Sequence, residues 1–375
     1  MNVIFTCGGT GGHINPAIAV ADCWREKYPD SNILFIGATG HMEEQLVPQA
    51  GYAIETFPVS GMCRKLSPAG LKKNLRAAAN VAGAVSRCRK LIRAFQPDVI
   101  VGTGGYASFP ALLAGRLSGV PVCVHEANAV PGLTTKMAAA WADKVLVCFP
   151  ESVRYYKDAS RVEVVGMPVR REFIYTEKNW ARRELKLDSR PVVVSAFGSQ
   201  GAKVMNETMA ELFKLEKNAG FPYQHIHAVG SFGWEWMPEL VKQKGIDLQR
   251  DQSIMMQEYL YNMPTVMAAA DVIISRAGAS TCNEIAASGT PCVLIPSPNV
   301  TDNHQEKNAR ALEKPGGAVV VLEKECSAQR IFEEIQKIVE NPQVSEKMQK
   351  ALHAMVVPDS AERVCAVMEA IMKRG

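Results

Sequence analysis

Four short glycine-rich segments are the parts of this sequence best suited to chemistry. They read Gly9-Thr10-Gly11-Gly12-His13, Gly102-Thr103-Gly104-Gly105-Tyr106, Phe197-Gly198-Ser199-Gln200-Gly201 and Ser275-Arg276-Ala277-Gly278-Ala279. Each follows an apolar, strand-like run and precedes a helical pattern. Such a turn presents unpaired backbone N–H groups and the positive end of a helix dipole, which suits a phosphate. Tight packing alone explains one such turn about as well. It explains four at equivalent places poorly.

The chemistry of these turns narrows by what accompanies them. A nucleoside-triphosphate loop needs G-x-x-x-x-G-K-[ST], which is absent. A dinucleotide fingerprint needs a third glycine where Ile14 stands, and an acidic residue where the second strand ends in Gly37-Ala38-Thr39-Gly40. A sugar nucleotide or a lipid pyrophosphate needs the turns and neither extra. No two aspartates lie two apart, so the Asp-x-Asp grip that holds a metal on many sugar nucleotides is missing. Neither a metal nor another cofactor is expected. Stabilising a departing diphosphate then falls to helix N-termini and a cation such as Arg170. Glu284, near the start of the helix after Gly278, is either a helix-start carboxylate or an acceptor for ribose hydroxyls.

These turns need a scaffold. Short strand-like runs at 3–6, 33–36, 99–101, 122–124, 144–147 and 162–165 alternate with helical patterns. A second series follows at 192–196, 225–229, 271–274, 291–295 and 318–321. Strands separated by helices give parallel sheets covered on both faces. Two such series, parted by the charged stretch 170–190, predict two doubly wound lobes facing each other across a cleft, with ligands outside the carboxyl ends of the strands. The segment from Ser345 to Lys373 reads as helical, broken at Pro358, and able to pack back across the lobe boundary.

A chain of 375 residues, 47% hydrophobic and 21% charged, suits two globular domains. The formal charge is +4 but unevenly placed: residues 1–165 hold 17 Lys and Arg against 12 Asp and Glu. Between Thr56 and Pro97 stand nine basic residues, Arg64, Lys65, Lys72, Lys73, Arg76, Arg87, Arg89, Lys90 and Arg93, and no acidic one. With Leu71, Leu75, Ala78, Ala82, Val85 and Ile92 at helical spacing, this is a basic amphipathic stretch suited to an anionic membrane surface. The ten cysteines include no C-x-x-C pair, and Cys123, Cys148 and Cys292 lie in apolar runs. A reduced, cytosolic chain is expected. The N-terminus enters a strand directly, without a secretory signal, and no apolar run is long enough to span a bilayer.

Together these blocks resemble the MurG family, the UDP-N-acetylglucosamine transferases that convert lipid I to lipid II. The marks are Gly8 to Pro16, Gly102 to Pro110, His125-Glu126-Ala127-Asn128, Pro131-Gly132-Leu133, Gly166-Met167-Pro168-Val169-Arg170, Gly198 to Ala202, Arg276 to Glu284 and Asp302-Asn303-His304-Gln305. They cover nearly the whole chain in the family's order. The resemblance implies the GT-B fold, with an acceptor- and membrane-binding lobe at 1–166, a UDP-sugar lobe at 167–345 and a helical segment at 346–375. It implies that Arg170 and Ser199 contact the diphosphate and nucleotide, and that Leu260 meets uracil through its backbone. Ala279, Ser280, Thr281, Cys282, Asn283 and Glu284 then hold phosphate and ribose, Gln305 reads the sugar, and Thr10, Gly11, Gly12 and Asn128 line the acceptor side. The chain departs from the family pattern at Ala127 and Met167, where Gln and Asn are frequent, and at His304, where some members carry a glutamine.

The family reaction inverts the anomeric centre of N-acetylglucosamine as the C4 hydroxyl of the muramyl sugar displaces UDP. A single displacement needs a base. His13, at a helix N-terminus whose dipole disfavours the imidazolium, is the first choice. Glu126 is the alternative, with loop bracing as its plainer role. The partners implied are UDP-N-acetylglucosamine, lipid I and an anionic membrane at its cytoplasmic face, with no nucleic acid. Another lipid glycosyltransferase of the same fold and a UDP-N-acetylglucosamine 2-epimerase are the rivals, and the basic stretch speaks against the epimerase. One consequence is direct: with no carboxylate pair to hold a metal, donor turnover is expected to survive excess EDTA. Complete loss, restored by Mn²⁺ or Mg²⁺, would sink the metal-free mechanism.

Overall fold

The computed structural model describes residues 1–59, 68–128, 130–300 and 303–373, and for 68–79 the backbone alone. The chain divides into two compact units. One comprises Met1–Arg170 with Val357–Gly375, the other Arg171–Val356. These divisions fall at 170/171 and 356/357, not at 166/167 and 345/346, because the helix Pro342–His353 stays with the second unit.

The first unit contains seven parallel strands: β1 (Asn2–Thr6), β2 (Asn32–Ala38), β3 (Ala53–Phe57), β4 (Val99–Gly102), β5 (Val122–Glu126), β6 (Lys144–Val147) and β7 (Val162–Val164). Their order across the sheet is β3-β2-β1-β4-β5-β6-β7. The second unit contains six: β8 (Val192–Ala196), β9 (Gln224–Ala228), β10 (Ile254–Gln257), β11 (Val272–Ser275), β12 (Cys292–Leu294) and β13 (Ala318–Val320), in the order β10-β9-β8-β11-β12-β13. Each is a doubly wound α/β sheet whose order reverses between β1 and β4, or between β8 and β11. The reversal leaves a crevice at the carboxyl ends of those two strands. Register pairs Thr6 with Gly102 and Ala196 with Ser275, so the two turns of each pair leave their sheet at the same level.

Two strands escaped the sequence reading, β3 and β10, and both are sheet edges. An edge strand needs no continuous apolar run, because only part of it is covered. Ala53 and Glu55 of β3 are exposed, and β10 offers Met255-Met256 where β-branched residues are usual.

Both faces of the first sheet are packed. Val3 and Phe5 point to one face with Val99, Val101, Trp24 and Phe35, while Ile4 and Ile100 point to the other with Leu112, Cys88 and Ile92. The terminal helix Ser360–Met372 closes the first of these faces, placing Val364, Met368 and Ile371 beside the helix Gly11–Lys27. A helix broken by Pro358 in the sequence is therefore two helices, one on each unit.

The second unit encloses a polar chain in its core. His225 Nδ1 donates to Glu216 Oε1 at 2.8 Å, and its Nε2 accepts from Ser195 Oγ at 2.7 Å. Ser195 Oγ in turn accepts from His227 Nδ1 at 2.7 Å. This leaves the buried Nε2 of His227 as a lone pair with no partner. Protonating it would bury an unmatched N–H, and burial, then the neighbouring His225, lowers its pKa to about 3. An unfolded histidine titrates near 6.5. Between these values the unfolded chain binds a proton that the folded one refuses. The stabilisation is therefore complete above about pH 6.5 and lost as pH falls toward 3. Urea unfolding of the second unit is expected to weaken by up to about 1.4 kcal/mol per pH unit below pH 6 from this group. A His227→Gln protein should show a correspondingly shallower dependence, and an unchanged slope would count against this assignment.

Candidate active site

The helices that follow the four glycine turns share one property at their starts. Gly11–Lys27, Ser108–Leu117, Lys203–Asn218 and Ala279–Ser288 have no side chain capping the N-terminus and no acidic residue in the first turn. The helices Leu133–Ala139, Lys178–Glu184 and Met263–Ala269 share this, whereas Ala328–Val339 and Pro342–His353 are capped by Ser327 and Asn341. A cap contributes roughly 1 kcal/mol. Its omission at all four turns leaves backbone donors and the positive dipole end available to an anion.

In the first unit the two turns interlock. Gly105, at φ +81°, passes so close to the first turn that a Cβ on it would lie 2.2 Å from the Gly8 carbonyl oxygen. Thr103 Oγ1 donates to the His13 carbonyl at 2.6 Å, and His13 Nδ1 lies 3.0 Å from the Thr103 carbonyl. A carbonyl only accepts, so Nδ1 carries the proton and the neutral ring has its lone pair on Nε2. Thr103 itself is pinned by its own N–H to the Thr6 carbonyl at 3.0 Å. Thr10 is the exposed N-cap position, and Gly11, Gly12 and the half-buried His13 form the first helical turn.

Glu126 closes β5 and is almost wholly buried. Its Oε1 accepts from the backbone N–H and the side-chain amide of Asn128, at 2.9 and 2.8 Å, and its Oε2 from Gly132 N–H at 2.9 Å. Both oxygens are committed to the loop that carries Asn128. His125 beside it is buried, donates from Nε2 to the Gly166 carbonyl at 3.1 Å, and is kept neutral chiefly by burial.

In the second unit, Gly201 at φ +77° lies against the next turn, where its Cβ would meet the Val229 carbonyl at 2.1 Å. The Ser199 and Gln200 carbonyls accept from Ser231 and Phe232 N–H, at 3.2 and 3.1 Å. The turn after β11 is braced by Ser275 Oγ to the Ala196 carbonyl, Arg276 to the Ile295 carbonyl and to Glu323, and Asn308 to the Ala277 carbonyl. Ser280 Oγ donates to Glu284 Oε1 at 2.7 Å, and Asn283 bonds the Ala279 carbonyl. Cys282 faces the interior, where burial and then Glu284 push its thiol up to about 12. Of the segment 279–284, Ala279, Thr281 and Asn283 are partly exposed, while Ser280, Cys282 and Glu284 are buried. Leu260 is almost wholly buried. Gln305 Oε1 accepts from Ser297 N–H at 2.9 Å beside β12. Arg170 ends the first unit, and Asp302 lies outside the described residues.

Sequence reading singled out His13, Glu126 and the turn residues but missed their braces. Asn308 and Arg276 act on backbone groups distant in sequence, and nothing in their local spacing announces it. The Thr103–His13 pairing was half visible, since both lie in glycine turns, yet only the β1–β4 register joins them.

Residues 3–147 match the glycosyltransferase family 28 N-terminal domain, and residues 192–364 match that family's C-terminal domain. A UDP-N-acetylglucosamine–N-acetylmuramyl-(pentapeptide) pyrophosphoryl-undecaprenol N-acetylglucosamine transferase of Thermoanaerobacter sp. (strain X514) is 40% identical over 99% of this chain and 100% of its own. A protein of the same name from Bacillus cytotoxicus is 34% identical over the full length of both. Among solved structures, Acinetobacter baumannii MurG superposes with a TM-score of 0.70 at 24% identity over 99% of this chain and 100% of its own. A putative UDP-N-acetylglucosamine 2-epimerase from Listeria monocytogenes reaches 0.71 at 14% identity over 100% of this chain and 97% of its own. The architecture is thus shared by transferases and epimerases, and fold likeness does not choose between them. End-to-end sequence identity does: the chain belongs to glycosyltransferase family 28, within its MurG family of N-acetylglucosamine transferases.

Proposed function

We propose that this chain transfers N-acetylglucosamine from UDP-N-acetylglucosamine to the C4 hydroxyl of the muramyl sugar of lipid I, inverting the anomeric centre and releasing UDP. The observation that carries this reading is the identity of 34–40% over essentially full length with transferases of that name. The donor belongs to the second unit. The uncapped start of Ala279–Ser288 and the Ser199 turn receive the diphosphate, Glu284 the ribose, Leu260 the uracil through its backbone, and Gln305 the sugar. Arg170 supplies a cation to the leaving diphosphate. Together they stabilise charge as it develops on UDP.

The acceptor belongs to the first unit, at Thr10, Gly11, Gly12 and Asn128. His13 is the base. Its Nδ1–H is held by the Thr103 carbonyl, which orients the ring and sets Nε2 to take the proton of the C4 hydroxyl as the glycosidic bond forms. Glu126, with both oxygens accepting loop N–H groups, holds Asn128 in place. In the assay of UDP release with and without lipid I, release should depend on the acceptor. His13→Ala should lower turnover about 10²–10⁴-fold while UDP affinity is retained. If Glu126→Ala loses the acidic limb of the pH–rate profile and His13→Ala keeps it, the base is Glu126.

Docking at the cytoplasmic face of the cell membrane follows from the acceptor's lipid. Among the described residues no helix is long and apolar enough to cross a membrane. The helix Pro68–Phe95 buries Ala84, Cys88 and Ile92 and exposes Arg87, Lys90 and Arg93 on its other side. Arg64 and Lys65 lie outside the described residues, as do the side chains of Lys72, Lys73 and Arg76. Each exposed cation near an anionic surface contributes roughly 1 kcal/mol, screened at high salt. Co-sedimentation with anionic vesicles is expected to fall as salt rises. The variant Arg87→Glu/Lys90→Glu/Arg93→Glu should weaken it and keep turnover on a short-chain acceptor. Undiminished sedimentation of the variant would place the docking face elsewhere.

A further inference from the structure

Glu43 has no part in the roles given above, yet it lies directly behind the turn on which His13 depends. It opens the helix Glu43–Gln49 and is 0% exposed. Its Oε2 accepts from Gly9 N–H at 3.1 Å and its Oε1 from Ala38 N–H at 2.9 Å. Space for the carboxylate exists because residues 8 and 37 are glycines: a Cβ on either would lie 2.6 Å from the Glu43 side chain. The same loop reaches the second turn as well. His41 Nε2 is 2.8 Å from the Tyr106 hydroxyl, and Tyr106 lies over Gly9, where a Cβ would meet its ring at 3.7 Å. The loop after β2 is thus bonded to both glycine turns.

A buried carboxylate is an unexpected neighbour for a turn that recruits anions. It withdraws the Gly9 N–H from any ligand and sets a negative charge behind the turn. Burial first, and then the Glu43 carboxylate, raise the pKa of Tyr106 and of Cys7 and so oppose their ionisation. Burying a carboxylate is costly unless its oxygens are matched, and here both are matched by backbone N–H groups of two different strand ends. What the arrangement achieves is placement: Gly9 is tied to Ala38, one residue before the N-cap Thr10 and four before His13.

We propose that Glu43 is a positioning residue for the transfer, holding the first glycine turn, and the helix start that carries His13, in place beside the second turn. It acts through Gly9 and touches neither substrate. The proposal rests on the transferase reading above.

The test compares Glu43→Ala and Glu43→Gln with the wild type. UDP-competent sites are counted by calorimetric titration with UDP, and hydrogen exchange of the β1 and β4 amides checks that the first unit is folded. Turnover on a short-chain lipid I is then expressed per competent, folded site. Because misplacing a reacting group by about 1 Å costs on the order of 10²-fold, Glu43→Ala should lower kcat about tenfold to a hundredfold with donor KM unchanged. Glu43→Gln, which keeps one accepting oxygen, should recover much of that loss. Turnover per competent site within about twofold of wild type in Glu43→Ala would overturn the proposal. So would a loss matched by equal loss of donor binding or of amide protection, since a merely structural role predicts that pattern. A wild-type protein that releases no UDP with the acceptor would defeat the transferase reading instead, which is a separate result.

Discussion

A parallel sheet whose strand order reverses beside its first strand must send two neighbouring strands out of the same edge into helices on opposite faces. That constraint governs both units. It brings the Gly9 and Gly102 turns together in one and the Gly198 and Ser275 turns together in the other. Each pair offers two uncapped helix starts, with their partial positive charge pointing out of the same crevice. No side chain has to supply that charge. The two units, alike in the order of their first six strands, thus carry the same backbone device, a pair of helix starts suited to an anion.

Open helix starts are costly to keep in register, and the braces answer that cost from behind. Glu43 holds Gly9, Glu126 holds Asn128 and Gly132, Ser275 and Asn308 hold the turn after β11, and Arg276 bridges the ends of β11 and β12. Carboxylates in front of the turns would repel an anionic ligand. Placed beneath them, with oxygens matched to backbone N–H groups, they stiffen the loop instead. His13 is held in the same way, through two hydrogen bonds with Thr103 that fix both its backbone and its tautomer.

The likeness to both transferases and epimerases follows from the same logic. One paired-turn architecture can host different chemistries at the sugar. The distinction between them lies in the side chains around it, which the fold alone does not specify.

The sequence by itself determined a great deal: the alternation of strands and helices, the parallel sheets, the four turns and the family blocks. These are local properties, written in runs of β-branched residues and in the glycines that follow them. It was silent on β3 and β10, since edge strands are half covered and need no apolar run. It left His13 and Glu126 as alternative bases, because each is a polar residue in one of the family blocks that follow the strands. The tertiary structure gives the two different surroundings. Glu126 faces three N–H donors of its own loop, whereas His13 meets a carbonyl from a strand ninety residues away. A hydrogen bond between distant residues depends on strand order and register, and those are set by packing across the whole sheet, which no local stretch of sequence encodes.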